Sequence, residues 1–426
     1  MEILKKTLLC LILCTLFISC LEQDDNQGPR IQFFKPQENS VISLPDTLEV
    51  QVKVTDDNLL RMVAIDLVDA NNAPVTQGKY FYPAASEYTV NTYLELVDKT
   101  IESGQHHVRV IADDGYSSVS AYLPVSIQAI PQEIIGYFAA TKPISFKSGI
   151  FRLGLNFVVD SQMVINETWY LSGINSNYRQ FYFINDEPSV LKAFDPFTFE
   201  KLWDMNASQP RALFTDIYND DEFLFSTDNG DCGVLRSDGE IIVRTAPYDD
   251  KTITCLAADE TYIYAGHQSL NGDINQLTVY YRVTGEIRVQ ETLSGEIMDL
   301  LPVGNAVMVF LHSNTDIRII TYNPEDFTLI ASVMLASEFF ISAEKISNQE
   351  ILILTERSVI SYNAMNQHFT DFASEPFEFC RYDYLNDVVF LGKDVRVFCY
   401  DRSNGNLLTI IPFNDEVVDF QILYNK

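Results

Sequence analysis

One stretch decides how the larger part of this chain folds: Tyr400-Asp401-Arg402-Ser403-Asn404-Gly405-Asn406-Leu407-Leu408. An aromatic residue and a polar residue lead into a turn, and an apolar run follows, which is the pattern of a β-hairpin. The same marker pair recurs at Phe194-Asp195, Leu235-Arg236, Tyr281-Arg282, Tyr322-Asn323 and Tyr362-Asn363. Successive markers are 41, 46, 41, 40 and 38 residues apart. A period near 40 built only of strands predicts the blades of a β-propeller rather than a helical solenoid.

Each unit carries a second feature, an apolar strand that follows a polar turn and precedes the marker. Examples are Asp220-Asp221 before Phe223-Leu224-Phe225, and Asn386-Asp387 before Val388-Val389-Phe390. The chain ends on a lone apolar strand, Val417–Leu423, and we predict that it completes the first blade and removes two exposed sheet edges. Together with a degenerate unit from Gly149 to Trp169, the pattern predicts seven blades over residues 134–426, with six as the alternative.

The hairpin at residues 400–408 and the segment Ala193–Trp203 resemble the repeat of quinoprotein-like and TolB-like bacterial propellers. Some quinoproteins hold pyrroloquinoline quinone, which in that family stacks on Trp beside a calcium ion and, in several members, a disulfide of adjacent cysteines. This chain has only Trp169 and Trp203 and no adjacent cysteines. We therefore expect no cofactor.

Residues 31–130 alternate between apolar and polar with the period of a half-buried strand. The apolar sets are Leu48, Val50, Val52 and Val54; Val63, Ile65 and Leu67; and Val108, Val110 and Ala112. About seven short strands separated by polar turns predict a β-sandwich. The closing segment Gly104–Gly115 resembles that of bacterial immunoglobulin-like modules, and the resemblance implies a spacer.

Two acidic turns of this sandwich are candidate metal ligands. If Asp56-Asp57-Asn58 and Asp113-Asp114-Gly115 are the second-to-third and sixth-to-seventh strand loops, they lie at one end of the sandwich. The carboxylates of Asp56, Asp57, Asp113 and Asp114 could then converge on a calcium ion, which prefers oxygen ligands. The alternative is that each Asp only stabilises its own turn.

The N-terminus predicts export. Lys5 and Lys6 precede an apolar run from Leu8 to Ile18, which is the pattern of a signal peptide and too short to span a bilayer. The segment Leu16–Cys20 resembles the bacterial lipobox, which implies cleavage after residue 19 and attachment of lipid, palmitate included, to Cys20. Leu21 in the second position favours the outer membrane, and the acidic tether at 20–30 resembles a surface-export tag, with an ordinary solvated linker as the alternative.

Composition limits the partners. The formal charge of −30 disfavours nucleic acid and anionic lipid, which are bound through Lys and Arg. Of seven cysteines, Cys10 and Cys14 lie in the signal and Cys20 takes the lipid. The other four lie in apolar strand patterns, which indicates buried free thiols rather than disulfides: Cys232, Cys255, Cys380 and Cys399.

No catalytic constellation is recognisable, because the chain has no nucleophile elbow and no phosphate-binding glycine loop. The five histidines lack ligand spacing, and neighbours on a strand such as His106 and His107 point to opposite faces. The others are His267, His312 and His368. We therefore predict a cell-envelope lipoprotein that binds an unidentified protein or glycan rather than an enzyme. One alternative is a lyase or hydrolase at the central mouth of the propeller, and another is a structural subunit of an envelope assembly.

Overall fold

The computed structural model describes residues 28–99, 101–142, 147–185, 190–205, 212–219 (backbone only), 222–227, 229–248, 250–313, 316–336 and 338–426. These residues form strands and turns, which confirms the prediction of an all-β chain. No helix within these ranges is long and apolar enough to cross a membrane. The predicted signal peptide, Cys20 and most of the acidic tether lie outside the described residues.

The chain divides into two compact units, and the boundary in the sequence lies between Pro131 and Gln132. The first unit contains a three-stranded sheet, β1-β3-β6, and a five-stranded sheet, β2-β8-β7-β4-β5. The strands are β1 (Arg30–Lys35), β2 (Ser40–Ser43), β3 (Asp46–Leu60), β4 (Met62–Val68), β5 (Lys79–Phe81), β6 (Ala85–Leu96), β7 (Gly104–Asp113) and β8 (Ser118–Gln128).

Both sheets of the first unit contribute to a single apolar core. Val50, Val52 and Val54 of β3 have no exposed side-chain surface, and neither do Val108 and Val110 of β7. The alternating apolar positions predicted from the sequence are therefore the buried ones. Two sheets that share one core in this way need an apolar residue at every second position of a strand, because successive side chains point to opposite faces.

The described chain enters the first unit at one end and leaves it at the other. Arg30 pairs with Thr55, and Met62 pairs with Asp113, so these residues lie at the same end. Strand β8 starts from that end, where Ser118 pairs with Asp113, and runs to Gln128 at the opposite end. Eleven residues of β8 at about 3.3 Å per residue separate the two ends by roughly 35 Å.

The described part of the second unit contains seven four-stranded antiparallel sheets. Their strand orders are β36-β9-β10-β11, β12 to β15, β16 to β19, β20 to β23, β24 to β27, β28 to β31 and β32 to β35. The bounds are β9 (Ile134–Lys142), β10 (Ser148–Leu153), β11 (Val159–Ile165), β12 (Trp169–Asn175), β13 (Gln180–Asn185), β14 (Leu191–Phe194), β15 (Lys201–Asp204), β16 (Ala212–Asn219), β17 (Glu222–Thr227), β18 (Cys232–Arg236), β19 (Ile241–Arg244), β20 (Lys251–Ala258), β21 (Tyr262–Ser269), β22 (Asn275–Tyr281), β23 (Ile287–Leu293), β24 (Glu296–Val303), β25 (Ala306–Ser313), β26 (Asp316–Tyr322), β27 (Leu329–Leu335), β28 (Phe340–Lys345), β29 (Glu350–Thr355), β30 (Val359–Asn363), β31 (His368–Ala373), β32 (Phe379–Asp383), β33 (Val388–Lys393), β34 (Arg396–Asp401), β35 (Leu407–Pro412) and β36 (Glu416–Tyr424).

The inner strands of these sheets form a closed circuit. Strands β36, β12, β16, β20, β24, β28 and β32 each contact the next, and β32 contacts β36 again. The C-terminal strand β36 pairs with β9, with Phe420 opposite Ala139, which confirms the predicted role of the last strand. A ring of four-stranded sheets closed in this way is a β-propeller.

The marker pairs found in the sequence end the third strand of their sheets. Where the polar residue is Asp or Asn, it caps the turn: Asp195 Oδ1 accepts hydrogen bonds from the amides of Phe197 and Thr198, and Asp401 Oδ1 accepts one from the amide of Ser403. In every one of the seven sheets the pairing of the third and fourth strands shifts register. The period of about 40 residues therefore arises because each sheet repeats the same hairpin of its third and fourth strands, with a bulge.

Candidate functional site

A cavity of about 420 Å³ is lined by the inner strands of the propeller. Its polar lining comes from strands that lie far apart in the sequence: Asp299, Glu344, Lys345, Arg381 and Gln421. Leu171, Leu256 and Leu300 contribute apolar surface to the same wall. We call this cavity the channel. Its mixture of charged and apolar groups is that of a binding site for a small ligand or a protruding side chain of a partner.

Carboxylates on three of the inner strands, β24, β28 and β36, form hydrogen bonds with neighbouring inner strands. Asp299 of β24 accepts a hydrogen bond from the amide of Ala343 on β28 at 3.2 Å. Glu344 of β28 accepts one from the amide of Tyr382 on β32 at 3.0 Å. Each bond engages a backbone N–H of the neighbouring inner strand and so stabilises the ring.

Asp419 of β36 is the most connected of these carboxylates. Its Oδ1 lies 2.7 Å from Nη2 of Arg381 and accepts a bond from its neighbour's amide at Phe420. Its Oδ2 accepts a hydrogen bond from Ser172 on β12 and one from Gln421 Nε2 at 2.8 Å. Four donors therefore surround a carboxylate that is almost completely buried.

Arg381 is the cation that faces these acids. Burial by itself would lower the pKa of Arg381, but the carboxylates of Asp419 and Glu344 raise it overall. Its side chain is 30% exposed, whereas that of Asp419 is 2% exposed. The guanidinium therefore keeps part of its surface in the channel while one edge is held by Asp419.

The described residues that line the channel offer hydrogen bonds and charge, and no histidine or cysteine is among them. Asp299 and Glu344 each use a carboxylate oxygen in a strand-to-strand bond, and both side chains also line the cavity. The described residues also contain no group of three or more His, Cys, Asp or Glu side chains that could hold a metal ion.

The four aspartates singled out in the first unit lie at one end of it, but the structure places them differently from the prediction. Asp56 and Asp57 are inside strand β3 and not in a turn. Between Thr55 and Leu60 the pairing with β6 shifts register, so the acidic residues form a bulge. Asp113 ends β7, and Asp114 follows it.

Local hydrogen bonds engage these carboxylates. Asp56 Oδ1 accepts a bond from the amide of Asn58 at 2.7 Å, and Asp114 Oδ1 accepts bonds from Tyr116 and Ser117 at 2.7 and 2.6 Å. Burial raises the pKa of Asp56, and the nearby carboxylate of Asp114 raises it further. Asp114 therefore stabilises the turn that follows β7, Asp56 stabilises the bulge in β3, and the calcium site stays a prediction.

The histidines and cysteines lie outside the channel. The four cysteines Cys232, Cys255, Cys380 and Cys399 are buried and free, as the sequence predicted. His267 and His312 lie in the second strands of consecutive sheets, β21 and β25. His267 is fully buried, with Nε2 3.1 Å from the hydroxyl of Tyr280, and burial lowers its pKa to about 4.

The residues of the channel were not identified from the sequence. One signal was present: Ile297-Met298-Asp299 and Val417-Val418-Asp419 place an Asp after two apolar residues in equivalent inner strands. In both strands the pairing shifts register just before the Asp. A comparison of inner strands with one another would therefore have marked both acids.

Comparisons with known proteins show similarity in fold. No protein-family model and no curated protein matches the chain. A "putative 6-phosphogluconolactonase" from Bacteroides uniformis is similar at 14% identity and a TM-score of 0.51, over 68% of this chain and 99% of that one. A quinonprotein alcohol dehydrogenase-like protein from Bacteroides thetaiotaomicron matches at 10% identity and a TM-score of 0.49, over 93% and 99%. BamB from Moraxella catarrhalis matches at 11% identity and a TM-score of 0.43, over 67% and 92%. At such identities the likeness concerns the fold alone.

Proposed function

We propose that this chain is a binding protein, held at a bacterial membrane by a lipid on Cys20, whose propeller recognises a partner at the mouth of its channel. One observation carries the proposal. Lys345 and Arg381 line the cavity beside Asp299 and Glu344, and the two acids also join neighbouring inner strands. This arrangement offers charge and hydrogen bonds of both signs to a ligand.

We further propose that the propeller has seven blades and that the first unit is an immunoglobulin-like sandwich. Seven four-stranded sheets and the circuit of inner strands support the blade number. Two sheets over one core, together with the resemblance of Gly104–Gly115 to closing strands of such modules, support the sandwich. The chain enters that unit at Arg30 and leaves it near Gln128, at the opposite end, as a spacer requires.

The proposed location rests on the sequence. Lipid on Cys20, the outer membrane and exposure at the cell surface follow from the lipobox-like segment, Leu21 and the acidic residues after it. Labelling cells with an alkyne analogue of palmitate tests the anchor. The wild-type chain should incorporate label and a Cys20→Ser variant should not, while protease added to intact cells should digest the chain if it is exposed at the surface.

The partner is a protein or a glycan, since the charge of −30 disfavours nucleic acid. A pull-down from cell-envelope extract and a glycan array, both with the chain from Leu21 onward, test the binding function. A specific hit should weaken at least about tenfold in Lys345→Glu. The matched control is Lys201→Glu on the outer strand β15, which should bind like the wild type. If neither assay gives a hit, the proposal is contradicted.

The presence of Arg381, Asp299 and Glu344 in the lining of one cavity favours a second candidate, a lyase or hydrolase. Turnover in a substrate panel that is lost in Glu344→Gln, with the fold intact by circular dichroism, would establish this alternative. Retention of partner binding without any turnover would reject it.

A further inference from the structure

We propose that the first unit carries a binding site for a neutral glycan, at the end where the described chain begins. The site is a groove of about 460 Å³, which we call the tyrosine groove. Its walls include the exposed aromatic rings of Tyr82 and Tyr116 and the apolar side chain of Leu59. They also include three polar side chains: Asn58, Arg61 and Asp114. It is built from three separate parts of the chain that the two sheets bring together, and it is separate from the channel.

The two tyrosines are unusually exposed. Tyr116 and Tyr82 are 76% and 74% exposed, more than any other aromatic side chain among the described residues. Leu59, beside them, is 60% exposed. Single exposed apolar residues need no explanation, but the two most exposed rings lining one groove indicate a surface that a ligand covers.

The backbone beside both tyrosines is restricted in conformation. Tyr82 precedes Pro83, and the amide of Ala84, a residue with a φ of 50°, donates to the carbonyl of Leu60 at 3.0 Å. Tyr116 belongs to the turn whose amides bind Asp114. Since rigid aromatic side chains lose little entropy when a ligand packs on them, both positions are suited to recognition.

Arg61 is fixed within the same groove. Its guanidinium packs so closely on Gly115 that a Cβ built there would lie 2.3 Å from Arg61. Gly115 has a φ of 90°, so the turn needs glycine for its conformation as well as for this contact. The planar guanidinium and the side chain of Asn58 thus stand beside the two rings.

The chemistry of these groups fits a sugar. A pyranose ring has apolar C–H faces, which pack on aromatic rings, and a rim of hydroxyls, which bind planar amide and guanidinium groups. Asp56, Asp57, Asp113 and Asp114 surround this end with negative charge and would repel anionic ligands. The ligand class is therefore a neutral glycan.

Two other occupants fit less well. The volume is in the range of about 300–1,000 Å³ typical of small-ligand sites, whereas a stable protein interface covers about 800 Å² on each partner. Contact with a phospholipid surface would favour flanking Lys and Arg, but the flanking residues are mainly aspartates. Both alternatives are distinguished by the experiment below.

The test is affinity gel electrophoresis of the chain from Leu21 onward in native gels that contain amylopectin, galactomannan, xyloglucan or mixed-linkage β-glucan. At least one polysaccharide should retard the wild-type chain. Tyr82→Ala and Tyr116→Ala should each weaken the retardation about tenfold, and Tyr82→Phe should retain it because the ring remains. The matched control is Tyr80→Ala, which removes a ring that is 61% exposed and does not line the groove.

Three outcomes overturn the inference. The first is that none of the four polysaccharides retards the wild type. The second is that the Tyr82→Ala/Tyr116→Ala double variant is retarded like the wild type while Lys345→Glu is not, which would place glycan binding in the channel and support the proposed function instead. The third is tyrosine-dependent co-sedimentation with phosphatidylethanolamine–phosphatidylglycerol vesicles in the absence of polysaccharide binding, which would indicate a membrane contact.

Discussion

Arg381 and Asp419 form an ion pair across the boundary between two sheets of the propeller, with Nη2 2.7 Å from Oδ1. They lie on the inner strands β32 and β36. Because the other oxygen of Asp419 accepts a bond from Ser172 on β12, one buried carboxylate joins three consecutive inner strands. One of these, β36, is the C-terminal strand of the chain, so the pair lies where the ring closes.

Asp419→Asn should destabilise the protein by about 2–3 kcal/mol, because it removes the charge that Arg381 faces and replaces an acceptor with a donor. The partial exposure of Arg381 keeps the loss below that of a fully buried pair. Urea unfolding measures it. The control is Asp204→Asn, whose partner Lys201 is 52% exposed, and it should change stability by less than about 0.5 kcal/mol. Equal effects of the two substitutions would contradict the role given to Asp419.

Stability should fall with pH below about 6.5 because His267 is buried in its neutral form. Burial first, and the nearby Lys251 second, lower the pKa of His267 to about 4. Between pH 6.5 and 4 the unfolded chain binds a proton that the folded chain does not, so acid favours unfolding, by about 3 kcal/mol in total at pH 4.

The measurement for His267 is the free energy of unfolding from pH 7.5 to 4 for the wild type and for His267→Gln. The wild type should lose its advantage over the variant as the pH falls. His368→Gln, an exposed position on β31, is the control and should follow the wild type at each pH. Parallel curves for the wild type and His267→Gln would reject the assignment.

The four cysteines that follow Cys20 in the sequence should react with thiol reagents only on unfolding. Burial raises the pKa of Cys232 to about 12 and that of Cys399 to about 11, and Cys255 and Cys380 are shifted in the same direction. Because the thiolate is the reactive form, Ellman's reagent should detect none of them in the native chain from Leu21 onward and all four in guanidinium. Fast reaction of a native thiol would show that its site opens.

Deletion of residues 416–426 should prevent formation of a stable propeller. The deletion removes β36, which pairs along β9, and leaves an inner edge strand open to other chains. We expect aggregation in size-exclusion chromatography and the loss of a cooperative thermal transition. Removal of Lys426 alone is the control and should leave a monodisperse protein, since β36 ends at Tyr424.

The architecture of the ring could be predicted from the sequence because each sheet repeats the same hairpin. Asp195, Asn323 and Asp401 are turn-capping residues whose spacing survives although the surrounding sequence varies. The closing strand was accessible for a related reason, since Val417–Leu423 is apolar and has no neighbour in sequence with which to pair.

The candidate sites were less accessible because they depend on distances that only the sheets define. Arg381 and Asp419 are adjacent only once the ring closes, and Tyr82 and Tyr116 line one groove only because the sheets bring separate parts of the chain together. The acidic stretch at Asp56 was interpreted as a turn because Asp and Asn favour turns. The chain instead continues as β3, and the bulge between Thr55 and Leu60 accommodates the extra residues.

The chain enters the first unit at one end and leaves it at the other, which determines how the unit would bear a mechanical load. A pull between the N-terminal tether and the segment after Gln128 would act along β1 and β8 rather than across them. The hydrogen bonds of β1 with β3, and of β8 with β7 and β2, would then resist the load together as a shear. Loading in that direction strengthens the unit against a pull between its two ends, because no single end bond can be opened first.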